Sequence, residues 1–298
     1  MRRRHRLWLP ALLLLAEASF GQTLIRDDRN AASDSPEGWA MRYFAGTTLM
    51  TSFGGTENLA PWRWSGAVEL GSIPHLSAEQ QHVGFGGSKR EDLNKSPVFG
   101  RLRLTLALPA EWVAEFGYTP PLQLAGSQAR NVFAAAIGRR LIEHDSFSLS
   151  MRVLGQLGKV DGDITCPRRA TETVDAETNP LDCRAPSQDT FTANYYGVDA
   201  TLGWNAGDWR VYGSAGIVRA RLDVQVDAFV ALTHDRSRIT SNGNLRWLTF
   251  GARYGFDPRA SVAVEMLYVP LDVRRPPEGP SVGDPLWSVR GQFRYAFN

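Results

Sequence analysis

Few side chains in this sequence are placed to do chemistry. Ser241-Asn242-Gly243 offers a hydroxyl nucleophile, and His234 stands seven residues before it. Nucleophilic catalysis needs the base within hydrogen-bond reach of the hydroxyl, and this offset, inside a loop, supplies no such pairing. His75 and His82 flank a loop and His144 falls in a short turn, so each reads as solvated; His5 lies between Arg4 and Arg6 in the N-terminal segment read below as an export signal. Gly84-Phe85-Gly86-Gly87-Ser88-Lys89 has the composition of a phosphate loop without its spacing or its following helix. Asp161-Gly162-Asp163 offers two carboxylates, where Ca²⁺ takes about six to eight oxygen ligands. Cys166 and Cys183 have no His at ligand spacing, which argues against zinc. The sequence therefore predicts no catalytic set, no metal and no cofactor.

The chemistry that remains is electrostatic, and strands must position it. Residues 98–108 alternate: Val98, Gly100, Leu102, Leu104, Leu106 and Leu108 share one face, with Arg101 and Arg103 on the other. Alternation at period two is a β-strand. The pattern recurs at 62–70, 112–118, 147–157, 196–204, 209–217, 248–256, 260–268 and 287–297, and segment 130–141 is strand-like with both faces apolar or small. The polar faces together carry Arg63, Arg101, Arg103, Arg152, Arg210, Arg253, Arg290 and Arg294, against Glu69, Glu115, Asp199 and Glu265. Eight arginines against four carboxylates either line a narrow anion-favouring passage or fill the interior through carboxylate pairs and backbone hydrogen bonds.

The connections alternate in length. Pro109-Ala110, Glu143 to Asp145, Asn205 to Asp208 and Asp257 to Arg259 are short; 119–129, 159–190, 221–244 and 271–285 are long. Aromatics sit at both ends: Trp112, Phe147, Trp204, Trp209, Phe256 and Phe297 beside the short turns, and Tyr118, Tyr195, Tyr196, Trp247, Tyr268 and Trp287 beside the long loops. Trp247 has inward parity and is read as a last loop residue before pairing begins. Short turns on one side, long loops on the other and two aromatic girdles describe a transmembrane barrel. Five hairpins give ten strands. Segment 39–49, with Trp39, Met41 and Tyr43, paired with 78–87 would make twelve, which is the count expected; the alternative is that 22–60 plugs the barrel and 73–97 is one long loop.

The N-terminus reads as an export signal over residues 1–21. Arg2, Arg3, Arg4 and Arg6 precede an apolar run from Leu7 to Ala16, too short for the roughly 20 residues a membrane helix needs. Cleavage fits after Ala18 or after Gly21. Removing residues 1–21 takes away four arginines and Glu17, leaving 29 basic and 30 acidic side chains from 33 and 31. A chain near −1 lacks the basic excess of nucleic-acid binding. In an oxidising compartment Cys166 and Cys183 are expected to form a disulfide, stabilising by about 3 kcal/mol for a loop of this size.

The final strand places Gly291, Phe293, Tyr295 and Phe297 on one face, followed by Asn298. With the alternation over roughly 60–298, this resembles bacterial outer-membrane β-barrel proteins as a class. The resemblance implies an all-β, antiparallel up-and-down transmembrane barrel of 10 to 12 strands. It implies short periplasmic turns, long extracellular loops, contact with outer-membrane lipids, and a C-terminal signal read by the barrel-assembly machinery. Asn298 departs from an aromatic terminus. The divisions are 1–21 signal peptide, 22–60 extension serving as plug or first strand, and 61–298 barrel. Three functions fit. The first is passive transport of small or hydrophobic solutes; by architectural analogy with fatty-acid-transporter-like barrels, Gly84 to Gly87 would act as hinge and 39–49 as plug. The second is a structural or surface-interaction barrel with a filled lumen. The third is a lipid-modifying enzyme, although the outer-membrane phospholipase spacing of His, one intervening residue and then Ser-Asn-Gly is not met by His234 and Ser241.

Overall fold

The computed structural model describes residues 23–55, 60–124, 126–172, 179–275 and 279–297. The export-signal reading and Asn298 lie outside them. Among the described residues ten strands close an antiparallel barrel: β1 Trp64–Ser72, β2 Val98–Ala107, β3 Trp112–Thr119, β4 Ser127–His144, β5 Phe147–Gly162, β6 Asp189–Ala206, β7 Trp209–Gln225, β8 Arg238–Gly255, β9 Ala260–Val269 and β10 Leu286–Ala296. Each pairs with its sequence neighbour, and β10 closes on β1 with Gln292 opposite Glu69. Closure pairs every strand with a neighbour on both sides, as hydrocarbon demands of a sheet, although β2 meets β3 only from Leu102 onward.

The outward faces show why this sheet belongs in lipid. Val68, Leu104, Ile137, Val153, Leu202, Phe250, Val264 and Val289 are exposed around the circumference, an apolar belt larger than water-soluble surfaces carry. Aromatics border it at both ends. Trp209 packs against Tyr254 beside a short turn, and Tyr268 against Trp287 beside a long loop. The protein is a transmembrane β-barrel.

Two expectations need correction. The count is ten strands rather than twelve, because residues 36–47 form a helix, α1 Pro36–Thr47, and 78–87 contribute only the His82–Val83 strand and a Gly84–Gly87 turn. Ser35 caps α1 by accepting from Gly38 N–H at 3.1 Å, and Pro36 opens it. Eleven of its twelve residues are buried, as befits a helix enclosed on all sides. The aromatic girdle also loses two members. Tyr195 and Trp247 point inward and are buried, and Trp247 is fully paired in β8, opposite Gly216. A Cβ on Gly216 would meet the Trp247 ring at 2.1 Å, so the indole takes the space that glycine leaves.

The strands on the β4 to β8 side are longer than the alternation suggested, and they project past the belt. Cys166 and Cys183 are disulfide-bonded between β5 and β6. Asp189 ties the base of this loop by accepting from Ile164 N, Thr165 N, Ser187 Oγ and Asp227 N. The N-terminal segment lies across the loop end, where Thr23–Ile25 and Asp28–Asn30 pair in parallel with Thr233–Asp235 and with β8. It then enters the lumen as α1 and runs on to the turn end.

Candidate functional site

The lumen has two zones, and arginines build the one nearer the turns. After α1 the chain runs through the barrel over residues 48–55, with its backbone carbonyls turned toward the wall. Arg290 donates to Leu49 O at 2.6 Å, to Gly46 O at 3.0 Å and to Thr47 O at 2.9 Å. Arg101 reaches Thr48 O at 2.7 Å, Arg152 reaches Met50 O and Arg103 reaches Thr51 O, both at 2.9 Å. Arg253 donates to Phe53 O, and Arg210 to Gly54 O at 2.8 Å. An extended segment at membrane depth must satisfy its polar groups inside the protein, and the guanidiniums do so.

The carboxylates join the same network. Arg103 bridges Glu69 and Glu115, the latter at 2.6 Å. Arg152 meets Glu115 at 3.0 Å and holds Asp199 with Nε at 3.0 Å and Nη2 at 2.5 Å. Glu265 accepts from Thr51 Oγ1 and from Tyr212 OH. Glu69 also accepts from Gln292 at 3.0 Å. Six of the eight arginines thus reach peptide carbonyls, which supply what the carboxylates do not.

Of the twelve residues assigned to the lumen, Glu69, Arg101, Arg103, Glu115, Arg152, Asp199, Arg253, Glu265, Arg290 and Arg294 are buried. Arg210 is half-buried, and Arg63 is exposed just before β1 begins; its parity matched the set, but it stands outside the paired strand. Gly291, Phe293 and Tyr295 lie in β10, and Phe297 follows it. His234 bonds Asp227 at 2.6 Å and stacks on Phe229. Among the described residues Ser241 Oγ is buried with no hydrogen-bond partner, so none of them joins it to His234.

The second zone, toward the loop end, is a cavity of about 690 Å³. Ala40, Met41 and Phe44 of α1 line one side; Val132, Gly158, Ala193, Val224 and Ile239 line the wall; Phe85 and Leu93 form the roof. The inward Phe99 and Arg101 and the lipid-facing Val68, Leu70, Gly100 and Leu102 all line it, so it opens through the wall. The opening has a local cause. Pairing of β2 with β3 begins only at Leu102 opposite Tyr118, leaving residues 98–101 without a partner on that side. Beyond Thr119 stand Pro120 and Pro121, which have no N–H to continue the ladder.

The charged groups that reach this cavity are largely engaged already. Arg29 pairs with Glu37 at 2.8 Å, and Lys95 with Asp92 and Asp163. Arg101 binds Gln156 Oε1 at 2.8 Å with Glu69 3.9 Å away. Lys89 holds Glu91 at 2.8 Å. Burial pushes the Glu91 carboxyl up to about 7, against the pull of Lys89. In the unfolded chain it ionises near 4.5, so its contribution to stability is complete below that pH and is lost as pH rises through about 7. Glu91→Gln should therefore remove a slope of about 3 kcal/mol between pH 4.5 and 7. Amide exchange of residues 81–93, corrected for intrinsic rate, should quicken from pH 5 to pH 8 in the parent and stay flat in the variant.

Sequence reasoning left residues 22–60 open between a plug and a first strand, placed Tyr195 in the outer girdle and missed the cavity lining. Ser35-Pro36-Glu37 was the available signal for α1: a cap, a first-position proline and an acidic first turn.

No protein-family model and no curated protein matches the chain. Among solved structures it is similar to Ail, the attachment invasion locus protein of Yersinia pestis, at 10% identity and a TM-score of 0.29, over 79% of this chain and 100% of that one. It is similar to the toluene transporter TodX of Pseudomonas putida at 11% identity and 0.33, over 92% and 78%. The translocator domain of the autotransporter NalP from Neisseria meningitidis gives 11% and 0.46, over 90% and 100%.

Proposed function

We propose that this barrel sits in the bacterial outer membrane and passes small, neutral hydrophobic molecules between its loop-end cavity and the bilayer, while its lumen stays closed to ions. The observation that carries the reading is an apolar cavity that opens through the wall above a lumen packed with arginine–carbonyl and arginine–carboxylate bonds. A cavity of about 690 Å³ falls in the range of small-molecule sites. The basic residues that line it, Arg29, Lys95 and Arg101, are engaged by carboxylates or an amide. A ligand carboxylate would find no counter-charge, and burying one uncompensated is costly, so neutral solutes are favoured over fatty acids.

Cells producing the barrel should take up labelled naphthalene faster than cells carrying an empty vector, and the purified protein should give no ion steps in planar bilayers. Equal uptake would overturn the proposal and leave the filled-lumen, surface-interaction reading. Discrete anion-selective steps would show instead that the 48–55 segment leaves the lumen.

A further inference from the structure

The outer wall of β7 and β8 changes character abruptly at the upper edge of the apolar belt. Ile217 and Leu248 face lipid. The next outward positions are Arg219 and Arg221 on β7 and Arg246 on β8, all exposed. Register sets them together: Arg246 is opposite Ile217, Arg219 opposite Asn244 and Arg221 opposite Asn242. Arg219 therefore has Arg221 two residues along its strand and Arg246 on the diagonal, each roughly 7–8 Å away at Cβ. Long, flexible side chains close that gap readily.

None of the three forms an ion pair or side-chain hydrogen bond among the described residues. The acid on the same face, Asp223, is held by Arg238. A fourth positive charge lies behind the wall. Arg42 of α1 donates to Asn244 O at 2.8 Å, in space that Gly243 leaves open, since a Cβ there would meet Arg42 Nη2 at 2.3 Å. Burial and the charge of Arg219 both lower the Arg42 pKa, and no carboxylate pairs with it among the described residues.

The height of the cluster identifies its counter-charge. Tyr196 is opposite Arg219 on β6, and Tyr268, packed against Trp287, is opposite Leu248 on β9. Interfacial aromatic rings mark the level of lipid headgroups. Uncompensated like charges on a lipid-facing wall at that level repel one another unless an anion lies between them, and the anions present there are lipid phosphates. Guanidiniums bind phosphate oxygens in forked pairs, so they suit the group better than a diffuse surface charge would.

We propose that Arg219, Arg221 and Arg246 form a site on the outer wall for the phosphate of a lipid headgroup in the loop-side leaflet, seating its acyl chains along Ile217, Leu248 and Val198. The site is separate from the cavity and stands whether or not the transport proposal does.

Native mass spectrometry of the full-length barrel in detergent, with monophosphoryl lipid A as probe, tests it. Retained lipid should fall about tenfold or more in Arg219→Gln/Arg221→Gln/Arg246→Gln, as expected from losing charge-assisted bonds. Lipid A stripped of phosphate should be retained weakly and equally by parent and variant. Arg246→Gln alone should give an intermediate loss, and Arg130→Gln/Lys159→Gln, elsewhere on the same rim, should give none. Equal retention by parent and triple variant, or retention indifferent to phosphate, would overturn the assignment. So would full competition by inorganic phosphate at millimolar concentration, which would mark a site for free anions. Heat-modifiable gel mobility establishes folding of each variant, and the partial loss in the single variant serves if the triple does not fold.

Discussion

Arg152→Ala should lower the unfolding free energy of the barrel by about 3–5 kcal/mol, the cost of breaking a buried ion network from one side. Arg152 is buried and uses its fork fully: Asp199 at Nε and Nη2, Glu115 at Nη1, and Met50 O at Nη2. Removing it leaves Glu115 with Arg103 but leaves Asp199, also buried, without its cation. It also frees the carbonyl of Met50 inside the lumen. Arg152→Lys keeps the charge and loses the planar fork, so it should recover only part of the deficit. The urea midpoint for conversion from the fast-migrating folded band to the unfolded band reads the difference. A loss below about 1 kcal/mol would mean that water solvates Asp199, and then the lumen is not the dry, closed interior argued above.

The same network shows what was legible in the sequence and what was not. Alternation located nine of the ten strands, the tenth being strand-like at 130–141 without a polar face, and the order of short and long connections gave the antiparallel path. The segment 39–49 misled because Trp39, Met41 and Tyr43 satisfy period two, while Trp39 with Tyr43 and Ala40 with Phe44 satisfy a helix equally well. Here the cap at Ser35 decides, and alternation does not.

Strand length failed for a different reason. On β7 the outward face runs Val211, Ala215, Ile217 and then Arg219 and Arg221, while the inward face runs Ser214 and then Val218, Ala220 and Leu222. The hydrophobic face switches sides where the strand leaves lipid and its interior meets α1 and the cavity. A reading that holds one parity ends the strand at the switch, and it also misplaces Tyr195 and Trp247. The arginine surplus left a passage and a filled interior both open, because the particular carbonyls that engage it have no signature in a list of charged residues. The cavity is harder still, since its lining comes from the N-terminal segment, the loops and most of the wall strands, and no local pattern joins them.

The second large effect concerns what that cavity accepts. At pH 7 naphthalene should bind at least about 100-fold more tightly than 2-naphthoate, two ligands of nearly the same shape. The apolar ring system gains the same burial in both, on the order of 25 cal/mol per Å². The carboxylate must also leave water for walls formed by Phe44, Val132, Ala193 and Val224, beside cations that Glu37, Asp163 and Glu69 already hold. An uncompensated anion resolves this cost by taking up a proton, so naphthoate should bind as the neutral acid. Its apparent affinity should then rise about tenfold per pH unit on acidification until its own carboxyl is protonated, while that of naphthalene stays level over the same range. Ala193→Trp, which projects an indole into the cavity from β6, should weaken both ligands and so place them there. Competition with a fluorescent hydrocarbon in nanodiscs measures all three. Equal affinity for the two ligands at pH 7, with no pH dependence, would require an unpaired cation facing the cavity and would turn the substrate class from neutral hydrocarbons to fatty acids.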